Sequence, residues 1–351
     1  MTATELAPRL TRMPGEIARD IITAYRGEVQ DYSRVEELER EFPTYARLLG
    51  SDAIFLMNAA DNLAGAFKWR GAFVGAHALK EAGATGLITP SAGNALRGGA
   101  LAAKAAGLEY HGVVPITAPL QKREGARALY DDPRFQLHVV GSSFDEALEW
   151  ALEHPELGKL LHPFNDPNVI AGQGTVADDI LESALGRDIR HIVAPTGGSG
   201  LVAGVLQRLA ELSRTDITVH AAEAAGSNSL SLSLRAGRVV DAEAPNARYG
   251  GSAVRRIGDY TLSVCRDADN LRTLTVSDDE VDMLTESYEQ DRYDLWRQDT
   301  PNFEPTTLVA VAALKQLVAK HPGEPMVVIG TGYNDSLWPS LPTPRTTNII
   351  R

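Results

Sequence analysis

Short apolar runs alternate with longer helical patterns along most of this chain, and that alternation limits its fold more than any other feature. Ile54-Phe55-Leu56, Gly86-Leu87-Ile88-Thr89, Tyr110–Val114, Gln136–Val140, His191-Ile192-Val193-Ala194, Val219-His220-Ala221-Ala222 and Met326-Val327-Val328-Ile329 read as strands. Residues 66–82, an Ala-rich stretch ending at Gly107, a segment beginning Glu124–Tyr130, Phe144–Glu153 and Leu201–Leu212 read as helices. A βαβα order predicts an α/β fold with mainly parallel twisted sheets and helices on both faces. Residues 1–50 read as a polar arm with short helices, broken at Pro8, Pro14 and Pro43. The Pro-, Asn- and Gly-rich stretch 163–173 is the best domain crossing, and 226–260 reads as a long surface excursion.

Composition narrows the function classes. At 351 residues there is room for two domains or one large α/β unit. A formal net charge of −12 argues against a general nucleic-acid binder, which needs basic faces, but not against a small anion held in one pocket. The lone Cys265 permits no intramolecular disulfide and no Cys-based metal pattern, and a cytoplasmic, reducing compartment is expected. The first residues lack the apolar core of a signal peptide, and no apolar run approaches the roughly 20 residues of a membrane span.

In open α/β sheets ligands sit beyond the carboxyl ends of strands. Three such ends carry chemistry. Ser91-Ala92-Gly93-Asn94 offers a hydroxyl, an amide and backbone N–H groups suited to a carboxylate, and is equally an ordinary helix-start turn. Thr196-Gly197-Gly198-Ser199-Gly200-Leu201 can point N–H groups at an anion with a helix dipole behind them. It has neither the Gly-Lys-Ser/Thr of a P-loop nor the spacing of the dinucleotide fingerprint. Gly330-Thr331-Gly332 sets a hydroxyl at a strand end, where a heteroaromatic nitrogen could meet it; the same string is also a plain turn. Lys68, among apolar and small neighbours, is either a solvated helix charge or an amine whose pKa burial lowers enough to form a Schiff base with an aldehyde. A phosphorylated aldehyde needs such a set: a phosphate cradle, a carboxylate loop, a lysine and a hydroxyl.

From about residue 52 to 335 the chain resembles the fold type II pyridoxal-phosphate enzymes, in their serine/threonine dehydratase branch. Phe67-Lys68-x-Arg70-Gly71-Ala72 is similar to that family's Ser-Phe-Lys-x-Arg-Gly-Ala, and Ser91-Ala92-Gly93-Asn94 to its Ser-Ala-Gly-Asn loop. Val114-Pro115 with Thr117-Ala118-Pro119 and Lys122, His162-Pro163-Phe164-Asn165-Asp166-Pro167, Ile170-Ala171-Gly172-Gln173-Gly174-Thr175, Ala222-Glu223 and Glu304-Pro305 follow in the family's order. The resemblance implies pyridoxal 5′-phosphate as cofactor, joined to Lys68, which would then remove the substrate's Cα proton. It implies Phe67 against the cofactor ring, Asn94 on the 3′-oxygen, backbone N–H groups of Gly197, Gly198, Ser199, Gly200 and Leu201 on the phosphate, and Thr331 on the pyridine nitrogen. Ser91, Ala92, Gly93, Asn94 and Ala95 would hold the substrate carboxylate. A neutral hydroxyl on the ring nitrogen makes a weaker electron sink than a carboxylate does, and favours loss of a β-substituent. The implied reaction is β-elimination from a small β-hydroxy or β-substituted amino acid, giving a 2-oxo acid and ammonia.

The chain departs from the family where the substrate side chain is read. Ala95 replaces the usual histidine, Ala66 the usual serine, Met57-Asn58-Ala59-Ala60-Asp61-Asn62 the Lys-x-Glu-Asp string, and Gly250-Gly251-Ser252-Ala253-Val254 the Asp-Gly-x-Ala-Val string. An unusual segment, Asp291–Arg297, precedes Glu304. Ala92 stands where racemases carry a second serine, which disfavours racemisation. Only Glu223 remains of the family's metal acids, so no metal is expected. The chain ends near Arg351 without room for a regulatory domain, so feedback inhibition by isoleucine is not expected. The histidines show no metal spacing, and His162 and His191 read as structural. Asp278-Asp279-Glu280 after Ser277 reads as a capping pattern. Arg292 and Arg297 read as solvated helix charges in preference to groups facing a charged substrate, and Glu304 as either a site wall or a helix cap.

The expected architecture is a large cofactor domain of residues 1–85 and 169–351 with a smaller inserted domain, 86–168, that grips the substrate carboxylate. By family analogy a homodimer is expected. The expected partners are a small amino-acid substrate, with neither nucleic acid nor membrane. A β-replacement synthase of the cysteine or 2,3-diaminopropionate type is the nearest alternative. A catalytically silent binding protein is the alternative from another class.

Overall fold

The computed structural model describes residues 13–91, 93–118, 120–295 and 302–334. Its strands are β1 (Arg34–Glu37), β2 (Ile54–Asn58), β3 (Gly86–Pro90), β4 (Glu109–Val114), β5 (Phe135–Val139), β6 (Lys159–Leu160), β7 (His191–Pro195), β8 (Thr218–Ala224), β9 (Leu271–Val276) and β10 (Met326–Gly330). The α-helices are α1 (Pro14–Tyr25), α2 (Pro43–Leu49), α3 (Lys68–Glu81), α4 (Asn94–Ala106), α5 (Leu120–Leu129), α6 (Phe144–Glu153), α7 (Pro167–Gly174), α8 (Val176–Glu182), α9 (Gly200–Glu211), α10 (Ser229–Ala236), α11 (Asp259–Arg266), α12 (Asp278–Asp294) and α13 (Pro305–Val318).

Two sheets result, in the orders β1-β2-β10-β7-β8-β9 and β5-β4-β3-β6. Every pairing is parallel except β1 with β2. The continuous apolar runs read as strands are the central ones; β3, β7 and β10 are buried along their whole length, as strands covered on both faces must be. One face of the large sheet packs on α2, α12 and α13 through residues such as Tyr45, Leu284, Tyr288 and Leu308. The other packs on α8, α9 and α11 through Ile180, Val202, Leu206 and Leu262. A third apolar cluster joins α1, α3 and α4 to the small sheet, with Ile22, Trp69, Phe73, Leu87, Leu96 and Tyr110 inside it.

Helix starts follow local chemistry. Pro14, Pro43, Pro167 and Pro305 occupy first-turn positions, where a missing N–H costs nothing. The Asp166 carboxylate accepts the N–H groups of Asn168 (2.8 Å) and Val169 (3.0 Å). Ser277 and Glu280 form a reciprocal capping box, as their spacing predicts.

The surface excursion expected over 226–260 is corrected. It contains α10, whose Ser229, Leu230, Ser231 and Ser233 are buried. The cause is Glu223, a fully buried carboxylate that accepts the N–H groups of Leu230 (2.8 Å) and Ser231 (3.0 Å) and the Ser231 hydroxyl. A carboxylate at a helix start is favoured by the helix dipole and fastens the segment to the sheet. Strands β1, β6 and β9 were not read from the sequence, and Arg292 is buried against the Tyr288 ring rather than solvated. Ala92, Pro119 and Arg297 lie outside the described residues.

Glycines let α7 lie between α3 and α9. A Cβ on Gly172 would stand 2.5 Å from the Arg70 carbonyl oxygen, and one on Gly174 would overlap the Gly204 backbone. Beside this seam the Arg70 guanidinium, fully buried, binds Asp31 (3.1 Å), Asp179 (2.5 Å) and the Thr175 hydroxyl (3.3 Å). These contacts fix the first turn of α3, and Lys68 begins that turn.

Candidate active site

Both sheets reverse their strand order at one point. From β7 the chain winds outward through β8 to β9, while β10 returns to the other side of β7, between it and β2. In the small sheet β3 lies between β4 and β6. Loops leaving neighbouring strands diverge at such points and open a crevice. The segments after β7, β10 and β3 are 196–199, 331–332 and 91–93, the three strand ends singled out in the sequence.

Lys68 enters this crevice from the segment after β2. The Phe67 N–H donates to the Thr331 carbonyl (3.0 Å), and Ala66 bridges Gly332. Gly98 of α4 passes so close to Lys68 that a Cβ there would lie 3.1 Å from the Lys68 carbonyl carbon. The Lys68 side chain lies over the Phe67 ring, its Nζ 4.5 Å from the centroid. Burial pulls its amine down to about 8, against the opposing pull of the Glu304 carboxylate. A pocket lined by Lys68, Ala72, Thr89, Ala95, His162 and Gln173 adjoins it. The residue is half-buried, so the amine is desolvated yet reachable.

The turn before α9 is built to hold an anion. A Cβ on Gly197 would overlap the Gly251 carbonyl, and one on Gly198 the Phe164 ring; on Gly200 it would stand 2.7 Å from Gln173 Oε1. Ser199 is left-handed (φ 65°), and its buried hydroxyl has no protein partner. First-turn N–H groups of a helix have no intrahelical acceptor, so those at the start of α9 face the turn with the positive end of the dipole. Side-chain-free backbone, an orphaned hydroxyl and a helix start together fit a phosphate.

The opposite wall is made of side chains. The Gly93 N–H donates to Ser91 Oγ (3.1 Å), leaving the Ser91 hydroxyl proton for a ligand. Asn94 Nδ2 donates to both Glu304 oxygens (3.0 and 2.9 Å), and Arg97 donates to Asn94 Oδ1 (3.0 Å). Thr331 Oγ1 lies 3.2 Å from Thr307 Oγ1 and 3.4 Å from Glu304 Oε1, and its N–H donates to Thr307 Oγ1 (3.0 Å). Glu304 precedes α13 without capping it; its side chain turns into the crevice, which decides between the two readings of that residue.

Sequence reasoning missed Thr307 and the placement of His162. Thr307 carried a signal, lying one helical turn after Glu304-Pro305. His162 is half-buried and structural in one sense, since Nδ1 accepts the N–H groups of Phe164 (3.3 Å) and Asn165 (2.9 Å). It also lines the pocket beside Lys68, and burial with the Lys68 charge pushes it down to about 4, so it is neutral at pH 7. Ala59, Ala66 and Ala95, three of the departures, are all buried. Asn58 donates to the Tyr333 hydroxyl (2.8 Å).

Residues 37–332 match the pyridoxal-phosphate dependent enzyme family. The chain is 33% identical over 323 residues to the L-threonine dehydratase biosynthetic IlvA of Burkholderia multivorans, covering 90% of this chain and 60% of that one. The processed form of threonine deaminase isoform 2 from Solanum lycopersicum superposes with a TM-score of 0.75 at 28% identity, covering 95% of this chain and 91% of that one. Maize serine racemase does so at 0.74 and 27%, covering 92% of each chain. The chain spans 49–61% of the length of the first curated relatives it matches. Among the described residues no helix is long and apolar enough to cross a membrane. With a match that spans most of its length and a desolvated lysine beside the strand-end crevice, the chain belongs to the pyridoxal-phosphate-dependent enzyme family, and pyridoxal phosphate is its cofactor.

Proposed function

We propose that this protein is an ammonia-lyase that removes the β-substituent of a small β-hydroxy or β-substituted amino acid and releases a 2-oxo acid and ammonia. The observation that carries this reading is a desolvated Lys68 amine at a crevice whose β10 end presents a hydroxyl, Thr331, while Glu304 is held aside by Asn94. The likeness to a threonine dehydratase and a threonine deaminase supports it.

When bound, pyridoxal phosphate supplies an aldehyde carbon for an amine and a ring that spreads charge away from Cα. Gly197, Gly198, Ser199, Gly200 and Leu201 would hold its phosphate through backbone N–H groups. Phe67 would pack on its ring, Thr331 would meet the ring nitrogen, and Asn94 would offer its amide to the ring oxygen. The Ser91 hydroxyl and the N–H groups of Gly93, Asn94 and Ala95 would bind the substrate carboxylate. The Lys68 amine, neutral in a large fraction near its pKa of about 8, takes the Cα proton. Neutral His162 adds no positive charge that would lower the basicity of Lys68 further.

Residues 1–85 and 169–351 act as the large domain and 86–168 as the small one, whose closure excludes water. The protein works as a cytoplasmic homodimer. The test is a product and absorbance screen of β-hydroxy, β-amino and β-acyloxy amino acids, with Lys68→Ala as control. A 2-oxo acid is expected, with one ammonia per 2-oxo acid from β-hydroxy and β-acyloxy substrates and two from β-amino ones, all lost in Lys68→Ala. A new amino acid formed only when a nucleophile is added would replace this reading with β-replacement. Absorbance unchanged by every amino acid would replace it with a binding protein.

A further inference from the structure

At the end of the large sheet opposite Lys68, two strands and one loop bring three imidazoles and a carboxylate together. His191 opens β7, and His220 lies on β8 opposite Val193, so the two histidines share one face of the sheet. His191 Nδ1 is 3.0 Å from His220 Nε2, and His191 Nε2 is 2.9 Å from Glu324 Oε2. His321 Nδ1 is 3.3 Å from the other Glu324 oxygen. We propose that His191, His321 and Glu324 bind one divalent transition-metal ion of the zinc class.

The three ligand atoms lie within 4.8 Å of one another, close enough for a single ion to reach all of them. The frame that presents them is fixed by backbone bonds. The His321 N–H donates to Leu317 at the end of α13 (2.8 Å), the Arg190 N–H to Pro325 (2.9 Å), and Met326 pairs in register with His191. Two imidazoles and one carboxylate, with a fourth position left for water, are a donor set that zinc accepts and that magnesium or calcium does not prefer. His220 completes the arrangement. With the ion on His191 Nε2, the Nδ1–H donates to His220 Nε2 and fixes ring and tautomer, as outer partners of metal-bound histidines do. His191 is buried, while His321 and Glu324 are half-buried and leave a way in. Arg190, Arg272 and Lys320 act on the cluster with like charge, so ligand bonds rather than the local field hold the ion.

Linear spacing could not disclose this site, because His191 lies far from His321 and Glu324 in sequence and only the β7–β10 pairing joins them. The ion would tie together the starts of the two strands whose far ends carry the phosphate turn and Thr331.

The test is calorimetric titration of the chelator-washed, cofactor-loaded full chain with zinc chloride and, separately, magnesium chloride. One zinc per chain is expected, with a melting midpoint that rises on addition. His321→Ala and Glu324→Gln, both at half-buried positions, are each expected to weaken binding by at least about tenfold and to abolish the rise. His77→Ala, at a half-buried position in a His–Glu pair elsewhere, is expected to bind like the parent. Absence of saturable zinc binding, preference for magnesium, or affinity that falls in His77→Ala but not in His321→Ala would overturn the proposal.

Discussion

The two walls of the crevice are built from different materials. The wall after β7 is backbone: Gly197, Gly198 and Gly200 meet Gly251, Phe164 and Gln173 at distances that leave no room for a Cβ. The wall after β3 is side chains: Ser91, Asn94 and Arg97, with Glu304 and Thr307 facing them across the crevice. A backbone wall makes one demand on the sequence, glycine at fixed positions, and recognises one shape. A side-chain wall changes its preference with each residue. The family departures touch both kinds: Ala95 is at the edge of the side-chain wall, with Asn58 at the end of β2 and Ala66 bridging Gly332, while Gly251 and Val254 lie against Gly197 in the backbone wall.

The largest expected effect falls on the frame that both walls share. Arg70 is fully buried with Asp31 and Asp179, and Arg26 is the other cation in that group. Arg70→Ala leaves two acids facing one partner, and breaking a buried pair from one side costs about 3–5 kcal/mol. Urea unfolding of parent and variant measures it. A loss under about 1 kcal/mol would mean that α3, and Lys68 with it, is held by the glycine seam instead.

Gly198→Ala separates the walls. The added methyl must displace the Phe164 ring or open the turn. Cofactor affinity is expected to fall by about 10²-fold, on the order of 2.7 kcal/mol. The KM for amino acid, measured at saturating cofactor, should stay within about twofold of the parent. Equal losses in both would show that the two walls move as one body.

Lys68 lies between the walls, and its titration reports on both. Its pKa is about 8 in the folded chain against an ordinary 10.5. Below about 8 the amine is protonated whether folded or not, and the fold bears the cost of a buried cation. As the pH rises from about 8 toward 10.5 the folded chain loses that cost while the unfolded chain stays protonated, so folding stability rises. The cofactor-free chain should therefore gain about 2 kcal/mol relative to Lys68→Met across that window, less than the roughly 3 kcal/mol of the full shift because the residue stays partly open to solvent. Glu304→Gln removes the carboxylate that raises this pKa, so the window should begin at lower pH. Denaturant titrations at pH 7 and pH 9.5 decide the point.

Legibility in the sequence followed the same division. Continuous apolar runs gave the central parallel strands to within two residues, because burial on both faces leaves no polar positions to confuse the period. The edges were harder. The antiparallel β1, Arg34-Val35-Glu36-Glu37, shows no run at all, and β6 is two residues long. β9 buries Leu271, Leu274 and Val276, a spacing of three and then two that breaks the strict alternation of a half-buried strand. The glycine turn, Ser91 and Thr331 could be placed beyond the sheet because each follows a strand end, whereas Lys68 stood out only by its apolar and small neighbours. What Glu304 does was not, since a residue before a proline at a helix start looks like a cap, and only the close approach of Gly332 and Asn94 turns its side chain inward.

The smallest expected effect belongs to the side-chain wall and tests whether it governs choice of substrate. Ala95 lines the pocket beside Lys68 with Thr89 and His162. Ala95→His fills that space with an imidazole facing Thr89, whose buried hydroxyl has no hydrogen-bond partner in the protein. Substrates with bulky β-groups should lose about tenfold in kcat/KM relative to those with a β-hydroxyl, a ratio that one or two methylene groups command in an apolar pocket. The grip on the cofactor's phosphate should be spared, because no residue of the glycine turn lines that pocket, although Lys68 does. Were the ratio of substrates unmoved while cofactor affinity fell, position 95 would belong to the backbone wall, and the division drawn between the two walls would be misplaced.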